Sequence, residues 1–358
     1  MAKFRKIGIL TSGGDAPGMN AAIRAVARKA INQGIEVVGI REGYNGLING
    51  NLRPLDNRSV SNVITTGGTI LYSSRCPEFK TPEGMEKAIK TCKENQIDAV
   101  IALGGDGTFR GATDLTNHGI PSIGIPCTID NDITATEYTI GFDTAMNTVI
   151  EMVGSLRETC ESHARCNIIE VMGRECGMIA LYAGIAAGAV VIAIPEVEFD
   201  EEYAIEKFRE AREHGKRGMI GVFAEGMSLN LDHKYSEEFV AKLQEKTGID
   251  TRFARLGHVV RGGSPTLRDR LNATQMGADA VSCLLEGKSN VVMGIKNGRI
   301  SAIDINYALV LDRMYKNKLK DGDLDRFSPE QIAGMKSACA YRQAKMERLY
   351  RLSFELGK

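Results

Sequence analysis

Two short segments place glycine next to aspartate and threonine, and a third sets two aspartates beside a threonine, in the way that phosphate chemistry requires. Thr11-Ser12-Gly13-Gly14-Asp15 and Gly104-Gly105-Asp106-Gly107-Thr108 each follow an apolar run and precede a polar or helix-like stretch. Glycine lets backbone N–H groups approach an anion closely, and a helix that follows adds its positive end. A tight strand-to-helix turn would account for either segment taken alone. A carboxylate beside an anion cradle is odd unless a cation lies between them, and Mg2+ favours carboxylate oxygens, which singles out Asp106. The third segment, Thr128-Ile129-Asp130-Asn131-Asp132, brings two carboxylates together after the apolar Ile123-Gly124-Ile125-Pro126. Phosphoryl transfer to a hydroxyl needs a proton acceptor and cations to neutralise the phosphates, so one Asp can act as base while the other helps to hold a metal. A bland surface loop could carry the same residues. The chain contains no G-x-x-x-x-G-K-[ST], which disfavours a P-loop enzyme.

Arg165, Arg174, Arg252 and Arg261 lie near the ends of strand-like runs. Guanidinium groups bind phosphate monoesters bidentately, although any single one is more often a solvated surface residue.

The elements that must carry these residues alternate. Lys6–Leu10, Glu36–Ile40, Ala99–Leu103, Ser122–Ile125, Cys166–Val171, Val190–Ile194 and Gly218–Ala224 read as short buried strands, and Ala21–Asn32 as a helix closed by Gly34. Such alternation predicts an α/β fold with parallel sheets covered on both faces, and ligands gather at the carboxyl ends of those strands. Each polar, glycine-rich segment sits at such an end. Gly177–Pro195 has no charged residue and is just long enough to cross a bilayer, but Gly188 divides it into a helix-like Met178–Ala187 and a strand-like Ala189–Ile194. It therefore reads as core. Ser328–Leu356 is charged and helix-prone, an amphipathic tail.

The bulk properties set the outer bounds. The 358 residues favour two domains, and 43% hydrophobic with 25% charged residues describe an ordinary globular chain. Lys+Arg and Asp+Glu both total 45, so neither nucleic acid nor a membrane surface is indicated as a partner. The eight cysteines are scattered without a C-x-x-C pair, which suits reduced thiols in a cytoplasmic protein better than a disulfide framework or a zinc site. No leader is evident before the first strand.

Taken together the segments resemble the bacterial ATP-dependent 6-phosphofructokinase family. The resemblance runs from about residue 5 to about 310 and rests on residues 11–21, 104–108, 128–132, 170–174 (Glu-Val-Met-Gly-Arg) and 256–265 (Leu-Gly-His-Val-Val-Arg-Gly-Gly-Ser-Pro). It implies two doubly wound, mostly parallel-sheet domains with a C-terminal helical extension. A nucleotide- and Mg2+-binding domain is expected at 1–141 plus about 263–305. A sugar-phosphate domain is expected at 142–262 plus about 306–322, and a helical tail at 323–358.

It also implies the chemistry: transfer of the γ-phosphoryl of ATP to the 1-hydroxyl of fructose 6-phosphate, giving fructose 1,6-bisphosphate in glycolysis. By resemblance Asp130 is the proton acceptor, Thr128 binds the transferring phosphoryl, Arg174 stabilises transition-state charge, and Gly14 belongs to the same catalytic set. Gly14, Tyr44, Arg75, Cys76, Gly105, Asp106, Gly107, Thr108 and Gly111 match nucleotide positions, with Asp106 and Asp132 near the metal. Met172, Gly173 and Glu225 match sugar contacts, and Arg165, Arg252, His258 and Arg261 the clamp on fructose 6-phosphate. Arg165 and Arg252 would reach in from a neighbouring subunit of a homotetramer.

Relatives that use pyrophosphate usually carry Asp where this chain has Gly107 and Lys where it has Cys127. Gly107 leaves room for the nucleotide α-phosphate and Cys127 is small, which favours ATP, although ATP enzymes generally have Gly at 127. Arg24, Arg28, Arg157 and Lys216 match the family's effector pocket. Asn57, Asn62, Val190 and His214 depart from it, so weakened or altered effector control is expected. The competing readings are a pyrophosphate-dependent enzyme, a silent nucleotide-sensing subunit, which should have lost Asp106 or Asp130, and a lipid or NAD kinase, which would lack the four-residue sugar-phosphate clamp.

Overall fold

The computed structural model describes residues 4–228 and 234–357, so residues 1–3, over which the sequence showed no cleavage signal, lie outside the described residues. In chain order the elements are β1 (Lys6–Thr11), α1 (Met19–Asn32), β2 (Glu36–Ile40), α2 (Gly43–Asn49), β3 (Leu52–Leu55), α3 (Pro82–Glu94), β4 (Ala99–Gly104), α4 (Asp106–Asn117) and β5 (Ser122–Pro126). There follow α5 (Phe142–His163), β6 (Cys166–Val171), α6 (Met178–Ala186), β7 (Val191–Ala193), α7 (Glu201–Glu213), β8 (Met219–Ala224), α8 (Tyr235–Thr247) and β9 (Thr251–Arg255). The chain closes with α9 (Leu267–Leu285), β10 (Val291–Lys296), β11 (Arg299–Asp304), α10 (Ile305–Tyr315) and α11 (Pro329–Leu356).

The strands form a seven-stranded sheet, ordered β11-β10-β5-β4-β1-β2-β3, and a four-stranded sheet, ordered β7-β8-β6-β9. In the larger sheet β10, β5, β4, β1 and β2 run parallel, while β3 and β11 are antiparallel edge strands. The smaller sheet is parallel throughout. Buried strands covered on both faces need no polar alternation: all six residues of β4, β6 and β8 are buried.

Sequence boundaries and structure agree to within one or two residues. The uncharged segment at 177–195 divides as expected into α6 and β7, and no helix among the described residues is long and apolar enough to cross a membrane. Gly34 stands just past the end of α1 at φ +75°, where the amide of Ile35 bonds back to the carbonyl of Ala30 at 3.1 Å, a helix stop that only glycine adopts without strain.

Two compact units emerge. Unit 1 takes in Met1–Thr128, Asp132–Asp143 and Arg261–Cys339; unit 2 takes in Ile129–Asn131, Thr144–Val260 and Ala340–Lys358. The stretch 306–322, expected with the sugar-phosphate domain, falls in unit 1 because Ile305, Ala308 and Leu309 of α10 join the core formed by Phe109, Leu115 and Val292. The tail is not a separate body. Met335 packs with Val310 and Leu311 in unit 1, and residues 340–358 belong to unit 2. Unit 2 has its own core around Phe208, Phe223 and Phe239.

Candidate active site

In unit 1 the end of β4 turns directly into α4, with Gly105 as the N-cap and Asp106 as the first helical residue. Asp106 accepts the amide of Gly107 at 2.7 Å through Oδ1 and pairs with Arg110 Nη2 at 2.7 Å through Oδ2. Gly107 is exposed, and a Cβ placed on it would meet no atom within 4 Å. Thr108 is buried and its hydroxyl donates to the carbonyl of Ser12 at 3.1 Å, which ties the second glycine-rich turn to the first. Gly14 is exposed beneath the Arg261 guanidinium, since a Cβ there would lie 2.6 Å from Arg261 Nη1. Arg261 also donates to the carbonyl of Asp15 at 3.1 Å.

Tyr44, matched to a nucleotide position, is 4% exposed and stacks on Phe79 at 4.1 Å. Its hydroxyl donates to the carbonyl of Thr108 at 2.6 Å, and burial raises the phenol pKa far above its ordinary value. Gly111 must lack a side chain because a Cβ would come 2.6 Å from the Tyr44 ring. Tyr44 therefore braces the first turns of α4. Tyr44→Phe removes this second hydrogen bond to a carbonyl inside α4 and is expected to cost about 0.5–1.5 kcal/mol in urea unfolding. An unchanged unfolding midpoint would remove this brace from the account. Arg75 is exposed, and Cys76 packs against the edge of the same core.

The acidic loop follows β5. Cys127 is 1% exposed, and burial, helped by the charge of Asp269, pushes its thiol well above the usual range, so position 127 presents a neutral group. The carbonyl of Thr128 accepts the hydroxyl of Thr139 at 2.6 Å. Asp132 lies 3.4 Å from Lys316, which also contacts Asp312 at 2.8 Å. Burial works against the ammonium charge of Lys316, but Asp132, Asp312 and Asp106 outweigh it and push its pKa up to about 12. Sequence reading missed Lys316 and Asp312. The available signal was their i, i+4 spacing at the end of an apolar helix.

In unit 2 Asp130 is 3% exposed, with Oδ2 3.7 Å from Nε of the half-exposed Arg174. Arg174 adopts φ +53° in the turn that leads to α6, and Gly173 before it adopts φ +151°. A Cβ on Gly173 would collide with the carbonyl of Cys176. Glu225 at the end of β8 holds this turn by accepting the amides of Gly173 at 3.1 Å and Arg174 at 2.7 Å. Met172 is half-buried beside them. Asp130, Gly173, Arg174 and Glu225 are thus brought together.

Arg165 and Arg252 share one carboxylate, Asp250: Arg165 Nε lies 2.6 Å from it and Arg252 Nη2 3.2 Å. Adjacent β6 and β9 set that spacing, with Asn167 opposite Arg252. Asp250 was not singled out from the sequence. His258 is exposed. Of the effector positions, Arg157 and Lys216 belong to unit 2, where Arg157 donates to the carbonyls of Ala187 and Gly188. Burial, followed by the charge of Arg157, lowers the Lys216 pKa. Arg24 and Arg28 lie on α1 of unit 1, both half-buried.

Known proteins with these features identify the group. The phosphofructokinase family description matches residues 6–284. The chain belongs to the phosphofructokinase family. This member is 50% identical over 316 residues to ATP-dependent 6-phosphofructokinase 1 of Clostridium perfringens, covering 88% of this chain and 97% of that protein. It is 49% identical over 327 residues to the ATP-dependent 6-phosphofructokinase of Halalkalibacterium halodurans, covering 91% of this chain and 99% of that one. Among solved structures, a phosphofructokinase from Saccharomyces cerevisiae superposes with a TM-score of 0.81 at 32% identity over 90% of this chain. This family member spans 47% of that yeast chain.

Proposed function

We infer that this chain transfers the γ-phosphoryl group of ATP to the 1-hydroxyl of fructose 6-phosphate, as a glycolytic 6-phosphofructokinase. The observation that carries this reading is the Asp130–Arg174 pair on the turn held by Glu225. Asp130 takes the proton of the attacking hydroxyl, and Arg174 balances the charge that builds up on the transferring group. Thr128 contacts that group, and Met172, Gly173 and Glu225 orient the sugar. The donor is held by Gly14, Arg75, Cys76 and the turn at Gly105–Thr108, where the open surroundings of Gly107 leave space for a nucleotide α-phosphate. The neutral, buried thiol of Cys127 supports ATP over pyrophosphate.

The residues fit a magnesium ion of the kind that depends on its substrate. Among the described residues no group of three or more His, Cys, Asp or Glu could hold a metal ion by itself. Mg2+ in kinases is held by one or two carboxylates plus substrate phosphates, and Asp106 and Asp132 supply the carboxylates. When bound, the ion neutralises phosphate charge.

The clamp on the 6-phosphate consists of Arg165, Arg252, His258 and Arg261. We place Arg165 and Arg252 in the site of a neighbouring subunit of a homotetramer, a reading supported by the way Asp250 aligns both side chains on one sheet edge. Arg24, Arg28, Arg157 and Lys216 form an altered effector site, and the enzyme works in the cytoplasm. A coupled assay with fructose 6-phosphate tests the whole reading. Turnover is expected with ATP and Mg2+, to stop on chelation and to be negligible with pyrophosphate. Turnover with pyrophosphate alone would reverse the donor assignment, and none with either would leave a nucleotide-sensing subunit.

A further inference from the structure

Asn131 follows the proposed base directly, is 1% exposed and adopts φ +49°. Left-handed backbone is uncommon outside glycine, and asparagine tolerates it best among the others, but the conformation still needs holding. Two contacts hold it within unit 2. The Asn131 amide nitrogen reaches Met178 Sδ at 3.5 Å, and the Asn131 carbonyl accepts Arg342 Nη2 at 2.5 Å. Arg342 Nη2 also lies 3.3 Å from the same sulfur.

Arg342 comes from α11, in the tail where no family counterpart was recognised beyond about residue 320, and beyond the 6–284 matched by the family description. Its position is fixed by a docked helix face. Met346, Tyr350 and Ser353 are all buried, and with Arg342 they recur at helical spacing. Further along, Lys345 lies over the Tyr182 ring at 5.8 Å, and Phe354 packs on Tyr203 at 5.4 Å. The guanidinium is therefore delivered to the acidic loop by a rigid element.

We propose that Arg342 is a positioning residue for the phosphoryl transfer, with the C-terminal helix pinning the Asn131 peptide and so aiming the Asp130 carboxylate. This rests on the assignment of Asp130 as base. Fixing the carbonyl of Asn131 fixes ψ at that residue, and the left-handed turn there sets the direction in which the preceding residue points. A base displaced by about 1 Å can lose about a hundredfold in rate, so partial loosening is expected to cost about tenfold.

The test compares Arg342→Ala, Arg342→Lys and Arg342→Gln in wild-type and Asp130→Asn backgrounds, with Gln343→Ala as a neighbouring exposed control. Arg342→Ala is expected to lower kcat about tenfold while KM for ATP stays within about twofold. Lysine, which can still donate to the carbonyl with a charge, restores most of the rate. In the Asp130→Asn background Arg342→Ala has no further effect, because residues that act through one another do not add. If the alanine variant is insoluble, the lysine–glutamine difference gives the same comparison. An unchanged kcat, a loss that persists in Asp130→Asn, or a loss that lysine does not reverse would each overturn the proposal. Failure of the wild type to use fructose 6-phosphate would overturn the functional reading first, and the proposal with it.

Discussion

Asp130→Asn is expected to lower kcat by about 10²–10⁴-fold with ATP and fructose 6-phosphate while both KM values change little. Asparagine keeps the shape of the side chain, so the buried loop loses no packing. It cannot take the hydroxyl proton, and it leaves Arg174 without the carboxylate that now lies 3.7 Å away. The stranded guanidinium is half-exposed, so water compensates it and stability is expected to hold. A split between rate and binding is the signature to look for: a group that acts only in the transition state lowers kcat and kcat/KM together. A mutant that keeps more than about a tenth of the wild-type rate would remove Asp130 from the base role.

Gly107→Asp is the second large effect, and it tests the donor. Gly107 lies in the first turn of α4 with no atom within 4 Å of its would-be Cβ, so the substitution meets no steric obstacle. A carboxylate near a helix N-terminus interacts favourably with the helix dipole, by about 0.3–1 kcal/mol, and the melting temperature should hold or rise slightly. Against a nucleotide α-phosphate the same charge is repulsive. At about 4 Å the cost is about 1–4 kcal/mol between bulk-water and protein-surface dielectric, or about 5–1000-fold in kcat/KM for ATP. Pyrophosphate has no α-phosphate at that point, so its inhibition constant as a competitor of ATP should rise far less than the ATP kcat/KM falls. An equal weakening of both would mean that position 107 acts on the fold or the metal and not on donor choice.

Local features of this chain were legible in the sequence because their causes are local. Gly104 to Thr108 announce a strand-to-helix turn by residue type alone, and Gly34 marks a helix stop within one residue. Asp130 and Arg174 lie 44 positions apart and still meet, and that pairing followed from a whole-chain resemblance and not from spacing. What stayed hidden depended on packing. Lys316 reaches Asp132 only because α10 lies in the core of unit 1, whereas its sequence position suggested the other domain. Asp250 gains meaning from the pairing of β6 and β9. Arg342 is one of many charges on a polar helix until Met346 and Tyr350 define the docked face. Tyr44 shows the reverse case, since a position matched to the nucleotide has its hydroxyl engaged by a main-chain carbonyl.

The rims of the two sheets bear on how the chain avoids sticking to copies of itself while it folds. An open strand edge is a template for aggregation, and each of the four outer strands is blunted differently. Strand β3 carries Pro54, which offers no N–H, and β11 is not fully buried at any of its six positions and begins with Arg299. Strand β9 bears Arg252 and Arg255, and β7 is only three residues long. Beside β7 the last turn of the tail adds a cover, with Gly357 lying so close to the carbonyl of Val190 that a Cβ could not fit. A chain that ended before α11 would uncover that rim, and its first symptom should be precipitation during expression at moderate temperature.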